Sequence, residues 1–274
     1  MVSPTSTLVA SAFIAASLSS SASATPQFSF FPSEDLLGEE LINATSVYSY
    51  ADRAFEETQR ILSSSGWIPI PDLTGVKNEW KTVSGAFASS GVHVTRAKAT
   101  VNAPAQKLFD YLITPVGYQL IDPFSTPEDF SKPPLEAFAI DVWRLTSTGG
   151  LKKLEAARTS TTSIPLIRER EFVVLNAIDS AARMFVSKSI QHKGDPGCSV
   201  YGGASCANAA TVPVRALNTF AVVVSPSPSN ANQSIVQLVN YADLTGPDVP
   251  AIAQNLINFF FLPSMVGRIR SAFP

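Results

Sequence analysis

Few residues in this chain have the types and spacing that catalysis needs. The two histidines, His93 and His192, are far apart, and both are expected at the surface. There is no G-x-S-x-G nucleophile elbow, no H-E-x-x-H pair and no glycine-rich phosphate loop. Arg168-Glu169-Arg170-Glu171 alternates charge and reads as a solvated strand entrance. Glu34-Asp35 and Glu39-Glu40 suit the positive end of a helix better than an acid–base pair. Two cysteines, Cys198 and Cys206, flank a run of turn-formers. A disulfide there would close a short loop and contribute roughly 2–3 kcal/mol. A metal site would need more than His192 beside them, since no further His or Cys completes a tetrahedron. The pattern therefore points to binding rather than turnover, with no metal and no cofactor.

Composition narrows the partner. The 274 residues carry 20 Lys+Arg against 22 Asp+Glu, a net charge of −2, which is too little basic excess for a nucleic-acid partner. Hydrophobic residues make up 45% and charged ones only 15%, which excludes intrinsic disorder. A mean hydropathy of +0.16 is high for a soluble chain. Part of that excess lies in the first 24 residues, read as a signal peptide. No charge precedes Glu34, an apolar run spans Leu8 to Leu18, and Ala22-Ser23-Ala24 offers a cleavage site. Sequons at Asn43-Ala44-Thr45 and Asn232-Gln233-Ser234 and the cysteine pair agree with a secretory route. A cytoplasmic or organellar chain with a low-complexity leader is the alternative.

The remaining sequence must position a large apolar surface. Spacing predicts a helix over Asp35 to Ser65 and strands near Val76–Val83 and Val92–Val101. Asn102-Ala103-Pro104 starts a helix carrying Leu108, Phe109, Leu112 and Ile113, which breaks at Thr114-Pro115. Six strands follow: Phe138–Thr146, Leu151–Thr161, Glu171–Ile178, Met184–His192, Val212–Val224 and Ser234–Ala242. A last helix runs from about Pro250 to Ala272. The order predicts an α+β fold, one curved antiparallel sheet wrapped against the final helix. In that helix Ile252, Leu256, Phe259, Phe260, Pro263, Val266 and Ile269 form an apolar stripe. Gln254, Asn255 and Asn258 cluster on the remaining surface, and Pro263 is expected to kink the helix.

Several short motifs, taken in order, resemble the START (steroidogenic acute regulatory protein-related lipid transfer) domains over residues 42–274, with 25–41 as linker and helix start. They are Trp67; Arg96-Ala97-Lys98-Ala99-Thr100-Val101 before a short helix; Ile121-Asp122-Pro123-Phe124; Arg170-Glu171-Phe172-Val173; Val214-Arg215-Ala216; and Asp243-Leu244-Thr245-Gly246 before the terminal helix. The resemblance implies a helix-grip fold whose tunnel holds one lipid, closed by the C-terminal helix as a lid. It also implies a monomer touching membrane surfaces transiently. Ile121 stands where the family has Trp, and Asn176 falls where some sterol-carrying members have a second arginine.

Under that resemblance the lipid-lining candidates are Trp143, Arg158, Arg170, Phe172, Val174, Asn176, Phe220, Tyr241, Leu256, Phe259, Phe260 and Met265. Strand alternation puts Phe172, Val174 and Asn176 on one face, expected inward, with Arg170 at the rim. Asn176 is the most informative of these, because a polar group among apolar strands needs a partner. Two alternatives remain: a helix-grip enzyme such as a cyclase or hydrolase using Asn176 or Arg158, and a lipid-sensing interaction module.

Overall fold

The structure, a computed structural model, describes residues 44–71, 75–82, 92–121, 141–145, 151–160, 170–189, 214–244 and 249–274. Helix α1 (Ala44–Ser63) leads into β1 (Ile68–Ile70), β2 (Lys77–Thr82) and β3 (His93–Val101). Helices α2 (Ala105–Leu112) and α3 (Pro115–Ile121) follow, then β4 (Asp141–Leu145), β5 (Leu151–Ser160), β6 (Arg170–Asp179) and β7 (Met184–Ser189). Strands β8 (Val214–Arg215), β9 (Leu217–Pro226) and β10 (Ser234–Asp243) precede the terminal helix α4 (Ala251–Ala272).

One sheet runs in the order β1-β2-β3-β10-β9-β7-β6-β5-β4, with β8 parallel to the start of β6. From β4 to β10 it is the expected antiparallel meander. The β10–β3 pairing, Ser234 opposite Val101 through Asn240 opposite Thr95, joins the end of the chain to its beginning. Alternation then fixes two faces. Ala97, Ala99, Phe185, Phe220, Val222, Val236 and Leu238 share one face and pack in a single core with Leu262, Met265, Val266 and Ile269 of α4. Leu108, Phe109 and Leu112 of α2 and Ile121 of α3 close the same core.

The opposite face is covered by α1. Tyr50, Ala51, Ala54, Phe55, Thr58 and Ile61 recur at helical spacing and are buried. Tyr50 donates from its hydroxyl to the Ser189 carbonyl at 2.7 Å, and Lys188 pairs with Glu57. Burial pushes the Lys188 ammonium below its usual range, and the Glu57 carboxylate opposes that shift. The last turn of α1 is held by cations, as its negative end favours. Arg96 donates to the Leu62 carbonyl at 2.7 Å while lying over the Trp67 ring, and Lys81 donates to the Ser65 carbonyl at 2.7 Å.

Four local expectations change. The start of α2 was expected to have Asn102 or Ala103 as cap with Pro104 in the first turn, and Pro104 itself occupies the N-cap, with no side-chain cap bond. The chain does not simply break at Thr114-Pro115. Thr114 accepts the Gly117 N–H on its hydroxyl at 3.1 Å, and Pro115 starts α3 where a missing N–H costs nothing. Gly117 is obligatory, since a Cβ would lie 1.9 Å from the Tyr111 carbonyl oxygen. The strand expected over Val212–Val224 divides at Ala216 into β8 and β9, and a short β1 appears at Ile68–Ile70. The expected Cys198–Cys206 disulfide, His192, the expected signal peptide over residues 1–24 and Asn43 lie outside the described residues.

Candidate functional site

The concave face between the sheet and α4 carries a polar row. Reading register across it gives Ile68 and Trp80, then Thr95, Asn240, Phe220, Ser187 and Asn176, with the pairing continuing to Glu155 and Asp141. The next row is apolar in its centre, from Ala97 through Leu238, Val222 and Phe185 to Ile178. Asn176 Oδ1 is buried and has no hydrogen-bond partner. An acceptor left that way costs about 1–3 kcal/mol unless a bound water or ligand donates to it.

Helix α4 sits on this face in two different ways. Its second half buries Leu262, Met265, Val266 and Ile269. Its first half buries amides: Gln254, Asn255 and Asn258 are each almost fully enclosed. Asn255 Oδ1 accepts the His93 N–H at 2.9 Å, and Gln254 Oε1 accepts the Leu244 N–H at 2.8 Å. Asn258 Oδ1 accepts from Asn240 Nδ2 at 3.1 Å, while its Nδ2 donates to the Ala242 carbonyl at 3.3 Å. Of the apolar side chains of this half, Phe259 is buried and Leu256 half-buried, while Ile252 is 57% and Phe260 49% exposed. The expected stripe therefore holds at Phe259, Val266 and Ile269 and fails at Ile252 and Phe260. The start of β3 and the end of β10 present backbone groups that must be paired, and the amides pair them.

Pro263 joins the halves. Lacking an N–H, it leaves the Phe259 carbonyl without its helical partner. Asn78 Nδ2 supplies the missing donor at 2.9 Å. The Phe259 ring meets Trp80 and His93, with both centroids 6.1 Å away. His93 was expected at the surface and is instead 8% exposed, its ring 4.2 Å from Trp80. Burial lowers its pKa to about 4, so the imidazole is neutral near pH 7.

The structure brings Arg170, Phe172, Val174 and Asn176 onto the concave register set, together with Phe220 and the α4 residues Phe259 and Met265. Trp143 pairs through Lys153 with Ile178, in the same set. Arg170 is 1% exposed rather than at a rim, and its Nε donates to the Leu244 carbonyl. Four candidates stand apart. Tyr241 pairs with Thr219 and, through it, with Lys188, on the face that α1 covers. Burial and the Asp243 carboxylate drive its phenol far above the ordinary range. Arg158 is paired with Val173, in the register set opposite Val174. Phe260 faces solvent and Leu256 is half-buried. Sequence reasoning missed Thr95, Ser187 and Asn240. Their signal was available as polar residues at strand positions whose same-face neighbours are apolar.

A curved antiparallel sheet gripping a long C-terminal helix, with α1 on its back, is a helix-grip α+β fold. No family model matches the sequence, and no curated protein matches it. Solved structures of similar fold include human STARD10, at TM-score 0.53 and 16% identity, covering 81% of this chain and 78% of that one. Human StAR-related lipid transfer protein 5 gives TM-score 0.52 and 15% identity over 84% of this chain and 98% of its own. The human StarD13 (DLC2) lipid transfer and protein localization domain gives TM-score 0.50 and 16% identity, covering 80% and 95% respectively.

Proposed function

We propose that this chain binds one lipid between the concave face and α4, without turning it over, and carries or presents it at membrane surfaces. The observation that carries the reading is Asn176: a buried acceptor without a partner, in a polar row that adjoins the apolar row from Ala97 to Ile178. A lipid with a hydroxyl or other donor at one end satisfies it, and the apolar body lies along Val174, Phe185 and Phe220. The names of the similar structures, two of which mention lipid transfer, support the same reading. Entry to the secretory pathway belongs to the proposal, and N-terminal sequencing of exported protein should then begin near Thr25.

The test is a pair of binding curves for a fluorescent hydroxylated lipid, taken with wild type and Asn176→Leu. Removing the acceptor should weaken binding by about tenfold, the worth of one buried hydrogen bond. The variant should still bind a hydrocarbon analogue lacking the hydroxyl as well as wild type does. Equal affinity of both proteins for the hydroxylated lipid would remove Asn176 from the site.

A further inference from the structure

We propose that Asn232, at the tip of the hairpin joining β9 to β10, is an acceptor for an N-linked oligosaccharide. The proposal rests on entry to the secretory pathway, and its test separates the two. Asn232-Gln233-Ser234 has the required asparagine, a middle residue other than proline, and the hydroxyl two positions on. Such tripeptides arise by chance, but here the fold treats both ends of the tripeptide in a way that packing does not explain.

The tip, Pro226 to Gln233, has neither a charge nor a large apolar side chain. Its polar side chains hold it together, with one exception. Asn230 Oδ1 accepts the Asn232 N–H at 2.9 Å, the Ser227 and Ser229 hydroxyls pair at 3.2 Å, and Gln233 Nε2 donates to Asn102 Oδ1 at 3.0 Å. Two backbone bonds close the turn: the Ser227 N–H donates to the Gln233 carbonyl and the Gln233 N–H to the Asn230 carbonyl, each at 3.0 Å. The Asn232 side-chain amide is exposed and bonds to none of the described residues. Its replacement costs the turn nothing, and nothing covers its Nδ2.

Ser234 supplies the second, independent indication. It opens β10, opposite Val101 and Pro226, is fully buried, and its Oγ has no hydrogen-bond partner. In the folded chain that hydroxyl is destabilising, and alanine would fit the same place without it. Before folding it is the group a glycosyl transfer requires. In that transfer Asn232 Nδ2 bonds to the anomeric carbon of a polyprenyl-diphosphate-linked oligosaccharide. The bond from that carbon to the diphosphate oxygen breaks, the diphosphate leaves with the electron pair, and the amide proton passes to a base of the transferase. The step must precede folding, because the β3–β10–β9 ladder encloses Ser234. The first half of α4 is bonded to Ala242 and Leu244 at the far end of this ten-residue strand, roughly 30 Å away, so a glycan on Asn232 leaves it clear.

The test expresses the full chain in a eukaryotic host, once with its own N-terminus and once behind an added signal peptide from a secreted protein. Peptides are mapped by mass spectrometry before and after peptide-N-glycosidase, which separates Asn232 from the sequon at Asn43. Asn232 should carry the glycan in both forms, read as its conversion to aspartate by the enzyme. Asn232→Gln and Ser234→Ala should each abolish it. Unglycosylated Ser234→Ala, made in bacteria, should unfold in urea at a midpoint equal to or above that of unglycosylated wild type. A glycan present only behind the added signal supports the acceptor and overturns the secretory reading alone. No glycan on Asn232 behind the added signal, or a lowered midpoint for Ser234→Ala, would overturn the proposal.

Discussion

The two halves of α4 follow opposite rules. From Leu262 onward the helix is an ordinary amphipathic element, with Leu262, Met265, Val266 and Ile269 in the core and Ser264 and Ser271 outside. From Ala251 to Phe261 the buried side is mostly amide, with Phe259 as its buried ring and Ile252, Ile257 and Phe260 outside. Apolar burial is strong and does not depend on direction, whereas amide bonds gain only about 0.5–1.5 kcal/mol each over bonds to water. The second half is therefore expected to hold to the sheet more firmly than the first. Pro263 and the Asn78 bond that replaces its missing donor mark the boundary.

Leu262→Ala gives the largest expected effect. It should cost about 2–5 kcal/mol in urea unfolding with an unchanged m-value, because a fully buried side chain leaves a cavity. Asn258→Ala should cost about 1–3 kcal/mol by orphaning Asn240 and the Ala242 carbonyl. In hydrogen exchange it should speed the amides of 251–261 and leave 266–272 protected. A protected first half in that variant would abolish the distinction between the two halves.

The His93 effect should be smaller and visible in pH. Its folded pKa of about 4 lies below the ordinary value of 6.5, so the unfolded chain binds the proton first. Stability should be level above pH 6.5, fall between 6.5 and about 4 by less than the roughly 3 kcal/mol of the full shift, since the ring is partly solvated, and level off below. In His93→Gln that component of the melting profile should vanish. Phe260→Ser should be the mildest, shifting stability by less than about 0.5 kcal/mol, while slowing lipid pick-up from vesicles in a stopped-flow transfer assay.

Much of this architecture was legible. Alternation located the meander strands because Phe172, Val174 and Asn176 differ in side from Val173 and Leu175, and the register keeps that division. Parity failed on β10, where Val236 and Leu238 face α4 while Val239 and Tyr241 are equally buried under the other layer. With both faces covered, hydrophobicity could not tell them apart. The first half of α4 was misread for a related reason. A helix apolar nearly all round has no preferred side, and the groups that settle it are backbone atoms of His93, Ala242 and Leu244. The burial of His93 likewise depends on Phe259, distant in sequence. Polar residues in strands were the neglected clue, since Thr95, Ser187 and Asn240 mark the row that Asn176 completes.

Native mass spectrometry of the full chain, purified after exposure to donor membranes, tests the central claim most directly. The account predicts a mass increment of one lipid per chain, reduced for hydroxylated lipids in Asn176→Leu. A folded chain that acquires no lipid from any donor membrane would contradict it.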